Sequence, residues 1–260
     1  MKFPVRKKWG QNFLIDQNIQ CKIVESLELR KNDEVLEIGP GYGALTKLIA
    51  PSCKKLTVIE LDPLLADEIR NLSFPNVKVV NQDFLKINLN SMSKNIKFIG
   101  NLPYYITTPI MFKILEMGRW KKCVFMIQKE VAERLTSKPG KKSYGRLTVT
   151  AGFFGNIKIE FIVSPNVFQP KPKVDSAIIS ITQNDIKKYS NQFIKNFKEI
   201  VRIAFSSRRK ILKNTIKPYL KENMMDKYGK KRPEECSIHD YIEIVNSCDM
   251  LRIDCNLNAF

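Results

Sequence analysis

The first 180 residues alternate short apolar runs, typical of β-strands, with patterns typical of helices. Strand patterns cover residues 34–39, 56–60, 77–80, 96–101 and 123–128. Helix patterns cover residues 44–50, 63–72, 107–117 and 131–135. Because a helix between two strands usually joins parallel neighbours, this alternation predicts an α/β fold with a mainly parallel sheet flanked by helices. Two further β-rich runs, 157–163 and 174–182, have no helix between them and are predicted to form an antiparallel pair at the sheet edge.

The remainder of the chain has a different pattern. Apolar residues recur at helical spacing between Phe193 and Phe205, which predicts an amphipathic helix with basic side chains on its polar face. The basic, helical character continues to residue 221. We therefore predict an α/β domain at residues 1–183 and a small all-helical domain at residues 184–260.

Charge is concentrated in that second part of the chain. The whole chain carries 44 Lys and Arg against 26 Asp and Glu, a formal net charge of +18. Residues 186–232 hold fifteen basic and three acidic side chains, whereas residues 233–260 hold one arginine and six acids. This concentration predicts a polyanionic partner, with nucleic acid first and an anionic membrane surface second. A surface that is uniformly rich in lysine is the alternative.

Several classes of protein are disfavoured by what the sequence lacks. No run approaches the roughly 20 apolar residues of a membrane span, and the start of the chain lacks the apolar centre of a signal peptide. The six cysteines have no C-x-x-C spacing, which predicts reduced thiols rather than disulfides or a zinc site. We expect a cytoplasmic protein with no membrane segment and no metal.

A glycine-rich loop follows the first strand pattern and opens the first helix pattern. Residues 37–44 read EIGPGYGA, in which Gly39 and Gly41 allow the backbone to approach a ligand closely. Glu60 ends the next strand pattern, where a carboxylate can accept hydrogen bonds from both hydroxyls of a ribose. Asp83 follows the third strand pattern, where it is placed to meet the amino group of an adenine.

The residues of this loop leave more than one ligand class open. The spacing also matches G-x-G-x-x-A, which is typical of dinucleotide sites. Glu37, just ahead of the glycines, suits a ligand that ends in an ammonium better than it suits a pyrophosphate, and Pro40 removes an N–H that a phosphate would bind. The loop therefore favours S-adenosylmethionine, with a dinucleotide and a purely structural turn as alternatives.

The stretch Asn101-Leu102-Pro103-Tyr104 ends a strand pattern with a polar residue and a proline. An aromatic exocyclic amine is a weak nucleophile, and acceptors on its two N–H bonds orient its lone pair toward a methyl donor. The side-chain oxygen of Asn101 and the carbonyl of Leu102 are such acceptors, Pro103 stiffens the turn, and Tyr104 can stack on a base. Methylation makes the nitrogen strongly acidic, so no dedicated base is required, and the chain has a single histidine. A capped surface turn is the alternative.

In this order the motifs identify a resemblance to the KsgA-type ribosomal RNA adenine N6-dimethyltransferases of the small subunit. The motifs that carry it are KKWGQNFLID at 7–16, VLEIGPGYGALT at 35–46, VIELD at 58–62, NLPYYITTP at 101–109, QKEVAERL at 128–135, YGRLTV at 144–149, FQPKPKVDSA at 168–177 and AFSSRRK at 204–210. The resemblance implies a Rossmann-like class I S-adenosylmethionine-dependent methyltransferase sheet followed by a helical domain. It also implies S-adenosyl-L-methionine as the cofactor.

The resemblance assigns roles to residues of the glycine loop and its surroundings. Asn12 and Leu14 would lie in a segment that folds over the cofactor, Glu60 would hold the ribose, and Asp83 the adenine. The complete implied set for the cofactor is Asn12, Leu14, Gly39, Gly41, Glu60, Asp83 and Asn101.

The family resemblance also implies the substrate and the residues that contact it. Phe168 would face Tyr104 across a flipped adenine. The implied catalytic set is Asn101, Leu102, Pro103, Tyr104 and Phe168. The target would be two adjacent adenines in the loop of the 3′-terminal hairpin of small-subunit (16S) rRNA, each dimethylated within a precursor subunit by a monomeric enzyme.

Basic side chains are the candidates for RNA contact. Arg208, Arg209 and Lys210 follow the apolar helix face, and Lys7 and Lys8 lie next to the motif at the start of the chain. They are predicted to contact phosphates while the α/β domain binds the base, with a solvated helix face as the alternative.

Three other functions stay open from the sequence. The related large-subunit adenine methyltransferases share the fold and the Asn-Leu-Pro-Tyr motif, although GPG at 39–41 and YGRLTV favour the small-subunit group. An RNA-binding assembly factor with incidental methylation is the second. A nicotinamide oxidoreductase is the third, and the aromatic pair and the absence of proton-transfer residues disfavour it.

Overall fold

The computed structural model describes residues 11–248, which form a seven-stranded sheet, a two-stranded ladder and ten α-helices. The strands are β1 (Phe13–Leu14), β2 (Glu34–Ile38), β3 (Lys55–Glu60), β4 (Val77–Asn81), β5 (Ile96–Asn101), β6 (Trp120–Gln128), β7 (Gly155–Val163), β8 (Phe168–Gln169) and β9 (Ser176–Gln183). The helices are α1 (Gln17–Ser26), α2 (Thr46–Ile49), α3 (Pro63–Asn71), α4 (Thr107–Leu115), α5 (Lys129–Leu135), α6 (Arg146–Phe154), α7 (Asn191–Ala204), α8 (Leu212–Thr215), α9 (Glu222–Tyr228) and α10 (Ile238–Ser247).

The large sheet has the strand order β4-β3-β2-β5-β6-β9-β7. Strands β2 to β6 run parallel to one another, whereas β9 is antiparallel to both β6 and β7. The predicted α/β fold and the antiparallel pair at the sheet edge are thereby confirmed. The strand order reverses between β2 and β5, which is where open α/β sheets bind ligands at the carboxyl ends of their strands.

Three helices before residue 183 differ from the sequence-based expectation, and one of them, α1 (Gln17–Ser26), was not predicted. Another was expected over residues 44–50, but α2 covers only Thr46–Ile49 because the preceding loop takes positive φ angles at Gly41 and Gly43. Helix α6, Arg146–Phe154, was not predicted at all. Its residues 148–151 are all buried, so the helix lacks the amphipathic pattern of exposed and buried positions by which a helix is identified from sequence.

The chain divides into two compact units. Among residues 11–248, unit 1 comprises 11–133 together with Phe154–Asn184, and unit 2 comprises Arg134–Phe153 together with 185–248. The predicted division placed residues 134–153 in the α/β domain. In the structure the Phe153 ring stacks on Phe197 at 4.3 Å, and the Tyr144 hydroxyl donates to the Cys236 carbonyl at 2.9 Å. These partners lie 44 and 92 positions further along the chain, a distance at which no local pattern shows them.

Strands β2, β3, β5 and β6 form the buried centre of unit 1, and nearly all their side chains are inaccessible to solvent. Within residues 11–248 no helix is both long and apolar enough to cross a bilayer. The five cysteines in that range are free thiols, four of them buried.

Candidate active site

One cavity of unit 1 brings together ten of the predicted site residues. It lies at the carboxyl ends of β2, β3 and β5, and residues 11–15 form another part of its wall. The predicted residues that line it are Asn12, Leu14, Gly39, Gly41, Glu60, Asp83, Asn101, Leu102, Pro103 and Tyr104. Parallel strands bring these groups together because their carboxyl ends meet at one edge of the sheet.

The glycine loop has a backbone that other residues adopt only with strain. Gly39 and Gly41 have φ angles of +64° and +57°. The Gly39 N–H donates to the Ile59 carbonyl at 2.9 Å, which ties the loop to the end of β3. A Cβ atom on Gly41 would lie 3.0 Å from the Phe13 ring. Glycine at 41 therefore allows the segment that contains β1 to pack closely over the loop.

Glu60 ends β3 with a carboxylate that is 7% exposed and held by backbone groups. One oxygen accepts from the Asp62 N–H at 2.9 Å and the other from the Gly41 N–H at 3.3 Å. Burial raises the pKa of Glu60, and the backbone hydrogen bonds act in the opposite direction. These bonds fix the carboxylate at the cavity wall, in an orientation that suits a diol.

Glu37 is a second acid of the same cavity and is more deeply buried, at 1% exposure. The Thr46 hydroxyl at the start of α2 donates to its carboxylate at 2.6 Å. Burial raises the Glu37 pKa to about 7, and the nearby charge of Glu60 also raises it, against the effect of the Thr46 hydrogen bond. A cationic ligand group near this acid would favour its ionised form.

Asn101 joins the strand end to the segment before β1. Its side-chain N–H donates to the Asn12 carbonyl at 2.8 Å. This bond leaves the side-chain oxygen without a hydrogen-bond donor among the described residues, at the wall of the cavity. Asn101 therefore lines the cavity and holds the Asn12 carbonyl with its side-chain N–H.

The rest of the Asn-Leu-Pro-Tyr stretch is a rigid turn. Leu102 is 1% exposed and its N–H donates to the Met126 carbonyl at 3.1 Å, while the Pro103 carbonyl accepts from the Thr107 hydroxyl at 3.0 Å. The Tyr104 hydroxyl lies 2.8 Å from the Ser176 hydroxyl of β9, and burial raises the Tyr104 pKa. This bond fixes the direction of the Tyr104 ring.

Phe168 lies in the short ladder and not in the cavity lining. It pairs with Leu14 in the ladder between β1 and β8, is 4% exposed and belongs to the buried core of unit 1. It is not among the residues that line the cavity. Its expected position opposite Tyr104, across a flipped adenine, stays a prediction.

The remaining predicted residues lie elsewhere. Lys7 and Lys8 fall outside the described residues. Arg208, Arg209 and Lys210 belong to unit 2, just after α7, and the Arg208 guanidinium donates to the Lys142 carbonyl at 2.8 Å. Their contact with RNA stays a prediction.

Sequence reasoning missed several lining or supporting residues. Thr46, which binds Glu37, and Ser176, which binds Tyr104, carry no local signal because their partners are 9 and 72 positions away. Tyr105 lines the cavity with a ring that is 60% exposed, and its position beside Tyr104 in a tyrosine pair was the available signal. Leu61 and Phe84 also line the cavity, and each directly follows a predicted acid.

The strand order and the acids at the carboxyl edge define a class I S-adenosylmethionine-dependent methyltransferase. Two solved structures share the fold over most of the chain. The dimethyladenosine transferase of Plasmodium falciparum is 25% identical, with a TM-score of 0.80, covering 89% of this chain and 95% of that one. The 23S rRNA methyltransferase ErmE is 27% identical, with a TM-score of 0.74, covering 91% of this chain and 99% of that one.

The sequence matches are closer still. Residues 2–250 match the family described as ribosomal RNA adenine dimethylase. A protein of Chlorobium phaeobacteroides named ribosomal RNA small subunit methyltransferase A is 42% identical over 247 residues, covering 94% of this chain and 93% of its own length. A protein of the same name from Clostridium botulinum is 41% identical over 256 residues, covering 92% of each. The chain belongs to the ribosomal RNA adenine dimethylase family, and the resemblance found in its sequence is confirmed.

Proposed function

We propose that this chain dimethylates the N6 amines of two adjacent adenines in the 3′-terminal hairpin loop of small-subunit rRNA. The observation that carries the proposal is the position of Asn101. Asn101 lines the same cavity as the two acids Glu37 and Glu60, and its side-chain N–H is bound to the Asn12 carbonyl, which assigns the free side-chain oxygen to the target amine. The names of the relatives at 40–42% identity support the small subunit as the target.

The cavity fits S-adenosyl-L-methionine in the chemistry of its wall. Glu60 presents a fixed carboxylate to a ribose, and Glu37 presents a buried acid to an ammonium or sulfonium group. A Cβ on Gly39 would meet only the Asn101 carbonyl oxygen, at an ordinary contact distance of 4.0 Å, so it is the φ of +64° that requires glycine there. Asp83 accepts the Leu85 N–H through one oxygen at 2.9 Å, which orients the carboxyl for an adenine amine. When bound, the cofactor supplies an electrophilic methyl group.

The chain's own residues would prepare the target amine. The Asn101 side-chain oxygen and the Leu102 carbonyl would accept its two N–H bonds and turn its lone pair toward the methyl group. Tyr104, held by Ser176, would stack on the extruded base, an interaction worth roughly 1–3 kcal/mol. The proton leaves after methylation, so no side chain is assigned as a base.

The proposal also covers the RNA-contacting residues, the oligomeric state and the cellular location of the protein. Arg208, Arg209, Lys210, Lys7 and Lys8 would contact rRNA within a precursor of the small subunit. We propose a monomer that acts in the cytoplasm, without metal or membrane, and contributes to biogenesis of the small subunit.

The second candidate is methylation of large-subunit rRNA. The likeness to ErmE, named a 23S rRNA methyltransferase, favours it, because the fold match covers 91% of this chain. The relatives named for the small subunit are more similar in sequence, which makes it the weaker candidate.

The test supplies labelled S-adenosylmethionine with two acceptors, unmethylated small subunits and protein-free large-subunit rRNA. Dimethyladenosine recovered only from small subunits supports the proposal, and label only in large-subunit RNA supports the second candidate. No label in either acceptor contradicts both.

Asn101→Ala is the matched catalytic variant. Loss of the acceptor should slow methyl transfer by about 100-fold or more, by analogy with the loss of one donor from an oxyanion hole. Asn71→Ala, on the exposed end of α3, is the control and should keep wild-type activity. Because Asn101 also holds the Asn12 carbonyl, calorimetry with S-adenosylmethionine separates a loss of cofactor affinity from a loss of chemistry. An Asn101→Ala protein with wild-type turnover would remove the proposed role.

A further inference from the structure

Unit 2 carries an exposed basic loop, which we call the lysine loop, at residues 137–143 (SKPGKKS) between α5 and α6. The hydroxyls of Ser137 and Ser143 lie 2.8 Å apart and close its base. Within it the Lys141 N–H donates to the Lys138 carbonyl at 3.2 Å, which forms a turn. The next residue, Tyr144, is 1% exposed and anchors the end of the loop. The lysine loop is therefore a defined surface feature.

Two residues from later in the chain hold the lysine loop through its backbone. The Arg208 guanidinium donates to the Lys142 carbonyl at 2.8 Å, and the Glu234 carbonyl accepts the Gly140 N–H at 2.7 Å. Arg208 and Glu234 also meet each other, with Nε and Oε2 4.0 Å apart. That carboxylate oxygen is buried and has no hydrogen-bond donor among the described residues, so Arg208 is the cation that balances it.

Five exposed cations of the lysine loop and the stretch after Arg208 have no ion-pair partner among residues 11–248. Lys138, Lys141 and Lys142 are exposed, and so are Arg209 and Lys210. None of the five forms an ion pair with a described residue. Arg208 differs from its two neighbours in sequence, because its guanidinium has partners within the protein. A set of unpaired cations on an anchored loop suits a polyanion whose charges are spaced along a chain.

We propose that the lysine loop is a phosphate-contacting element for rRNA and that Arg208 is the positioning residue that holds it. Lys141, Lys142, Arg209 and Lys210 contact the phosphates, whereas Arg208 acts through the loop. The inference rests on the proposed function and names the RNA-docking residues of unit 2. It changes the role predicted for Arg208 from direct contact to support.

Direct phosphate contact and positioning predict different results when Arg208 and the lysines are substituted together. If Arg208 contacts a phosphate directly, the loss of RNA affinity in Arg208→Ala adds to the loss caused by the lysine substitutions. A positioning residue loses its effect once the lysines are gone, because it has nothing left to position. Alanine at Lys141 and Lys142 preserves the Lys142 carbonyl, so the Arg208 bond survives in that variant.

The experiment measures binding to unmethylated small subunits, the same acceptor as in the methylation test, over a series of KCl concentrations. The Lys141→Ala/Lys142→Ala protein should bind several-fold more weakly, with a salt slope smaller in magnitude by about two. The charge-matched control is Lys54→Ala/Lys55→Ala, two exposed lysines at the start of β3 in unit 1, and it should bind like the wild type. S-adenosylmethionine affinity should be unchanged in both.

Arg208→Ala should reduce the magnitude of the salt slope by more than one unit, because loss of a single phosphate contact reduces it by only about one. Combined with the lysine variant it should cause no further loss. Arg208→Lys should bind as weakly as Arg208→Ala, because an ammonium lacks the planar fork that reaches both the Lys142 carbonyl and Glu234. Circular dichroism melting of each variant checks the fold, and Arg208→Lys serves where Arg208→Ala does not fold.

The possible outcomes distinguish a failure of this inference from a failure of the proposed function. Additive effects, or wild-type binding by the Arg208→Lys protein, overturn the positioning role, and wild-type binding by the lysine variant overturns the docking role of the loop. In these cases a wild-type protein that still methylates the RNA shows that only the inference has failed. A wild-type protein that neither binds nor methylates the RNA contradicts the proposed function, and the inference with it.

Discussion

Glu37 is the residue whose ionisation depends most on its surroundings in the candidate site. It is enclosed at the end of β2, with the Thr46 hydroxyl as its hydrogen-bond donor and Glu60 as a nearby charge. Burial penalises its charged form, so its pKa rises from the ordinary 4.5 to about 7. A cationic ligand stabilises the ionised form of a buried acid more than that of an exposed acid, because the ligand replaces the solvation lost on burial.

We predict that Glu37→Gln changes the pH dependence of stability. As pH rises from 4.5 to about 7, the unfolded carboxyl ionises while the folded one keeps its proton, so the wild type loses stability. Above pH 7 the loss is complete. The variant lacks this loss, so its free energy of unfolding relative to the wild type should increase between pH 5 and pH 8 by on the order of 3 kcal/mol. Urea denaturation at both pH values measures it, with exposed Glu25→Gln as the control. A difference that is the same at both pH values would contradict the prediction.

Phe168 allows burial and base contact to be tested separately. The ring is 4% exposed in the core, so Phe168→Ala should cost about 3–5 kcal/mol of stability, measured by denaturation. Phe168→Leu keeps most of the apolar volume and should cost less than about 1.5 kcal/mol. If the ring leaves the core to stack on the target adenine, methyl transfer by the leucine variant should fall at constant cofactor affinity. Wild-type turnover by that variant would leave Phe168 a core residue only.

At the scale of elements, a buried lysine joins β5 to the connection between α1 and β2. Lys97 is 2% exposed, and its ammonium donates to the carbonyls of Leu27 and Glu28 at 3.0 and 2.5 Å. It also lies 2.7 Å from the Asp33 carboxylate. All of its donors are thus used at the amino-terminal edge of the sheet. The arrangement fixes β5 at its start, and β5 ends in the Asn-Leu-Pro-Tyr stretch.

Lys97→Met should therefore destabilise the protein by about 3–5 kcal/mol, because it removes the buried cation that binds the Asp33 carboxylate and two carbonyls. Lys121→Met is the matched control, since Lys121 lies 3.6 Å from the same carboxylate but is 47% exposed. An exposed pair of this kind contributes at most about 1 kcal/mol. Chemical denaturation of the two variants measures the contrast, and equal losses would show that burial does not govern the contribution.

At the scale of the whole molecule, the second unit is built from two separated pieces of chain. Residues 134–153 supply Tyr144 and Phe153, whose partners come from residues after 185. Phe153 packs against the rings of Tyr189, Phe193 and Phe197 at 5.3, 6.3 and 4.3 Å. Neither piece can bury these rings without the other.

This organisation predicts the behaviour of a truncation at the boundary expected from sequence. A chain of residues 1–183 keeps residues 134–153 but loses the rings and the carbonyl that cover them. It should expose Tyr144 and Phe153, melt at lower temperature than the full chain and bind a hydrophobic dye. Differential scanning calorimetry and dye fluorescence measure this, with the full chain as reference. A truncated chain that melts cooperatively at the wild-type temperature would contradict it.

Much of the α/β fold follows from local pattern alone. Apolar runs with helical segments between them predicted β2 to β6 and the antiparallel edge, because strand burial in a parallel sheet has a short-range signature in the chain. The glycine loop, Glu60 and the Asn-Leu-Pro-Tyr stretch were recognisable for a related reason. Each follows a strand end, and parallel strands bring such ends to one edge of the sheet.

Only the tertiary structure decided what depends on distant partners. Helix α6 and the discontinuous second unit were missed because their burial is supplied by residues more than 30 positions away. The same reason applies to the Ser176 bond to Tyr104, the inward ring of Phe168 and the Arg208 bond to the lysine loop. Periodicity along a chain shows which side chains prefer burial, whereas their partners are set by three-dimensional packing. The sequence therefore determined the strands of the sheet and the candidate site residues at its carboxyl edge. The tertiary structure determined which groups hold those residues in place.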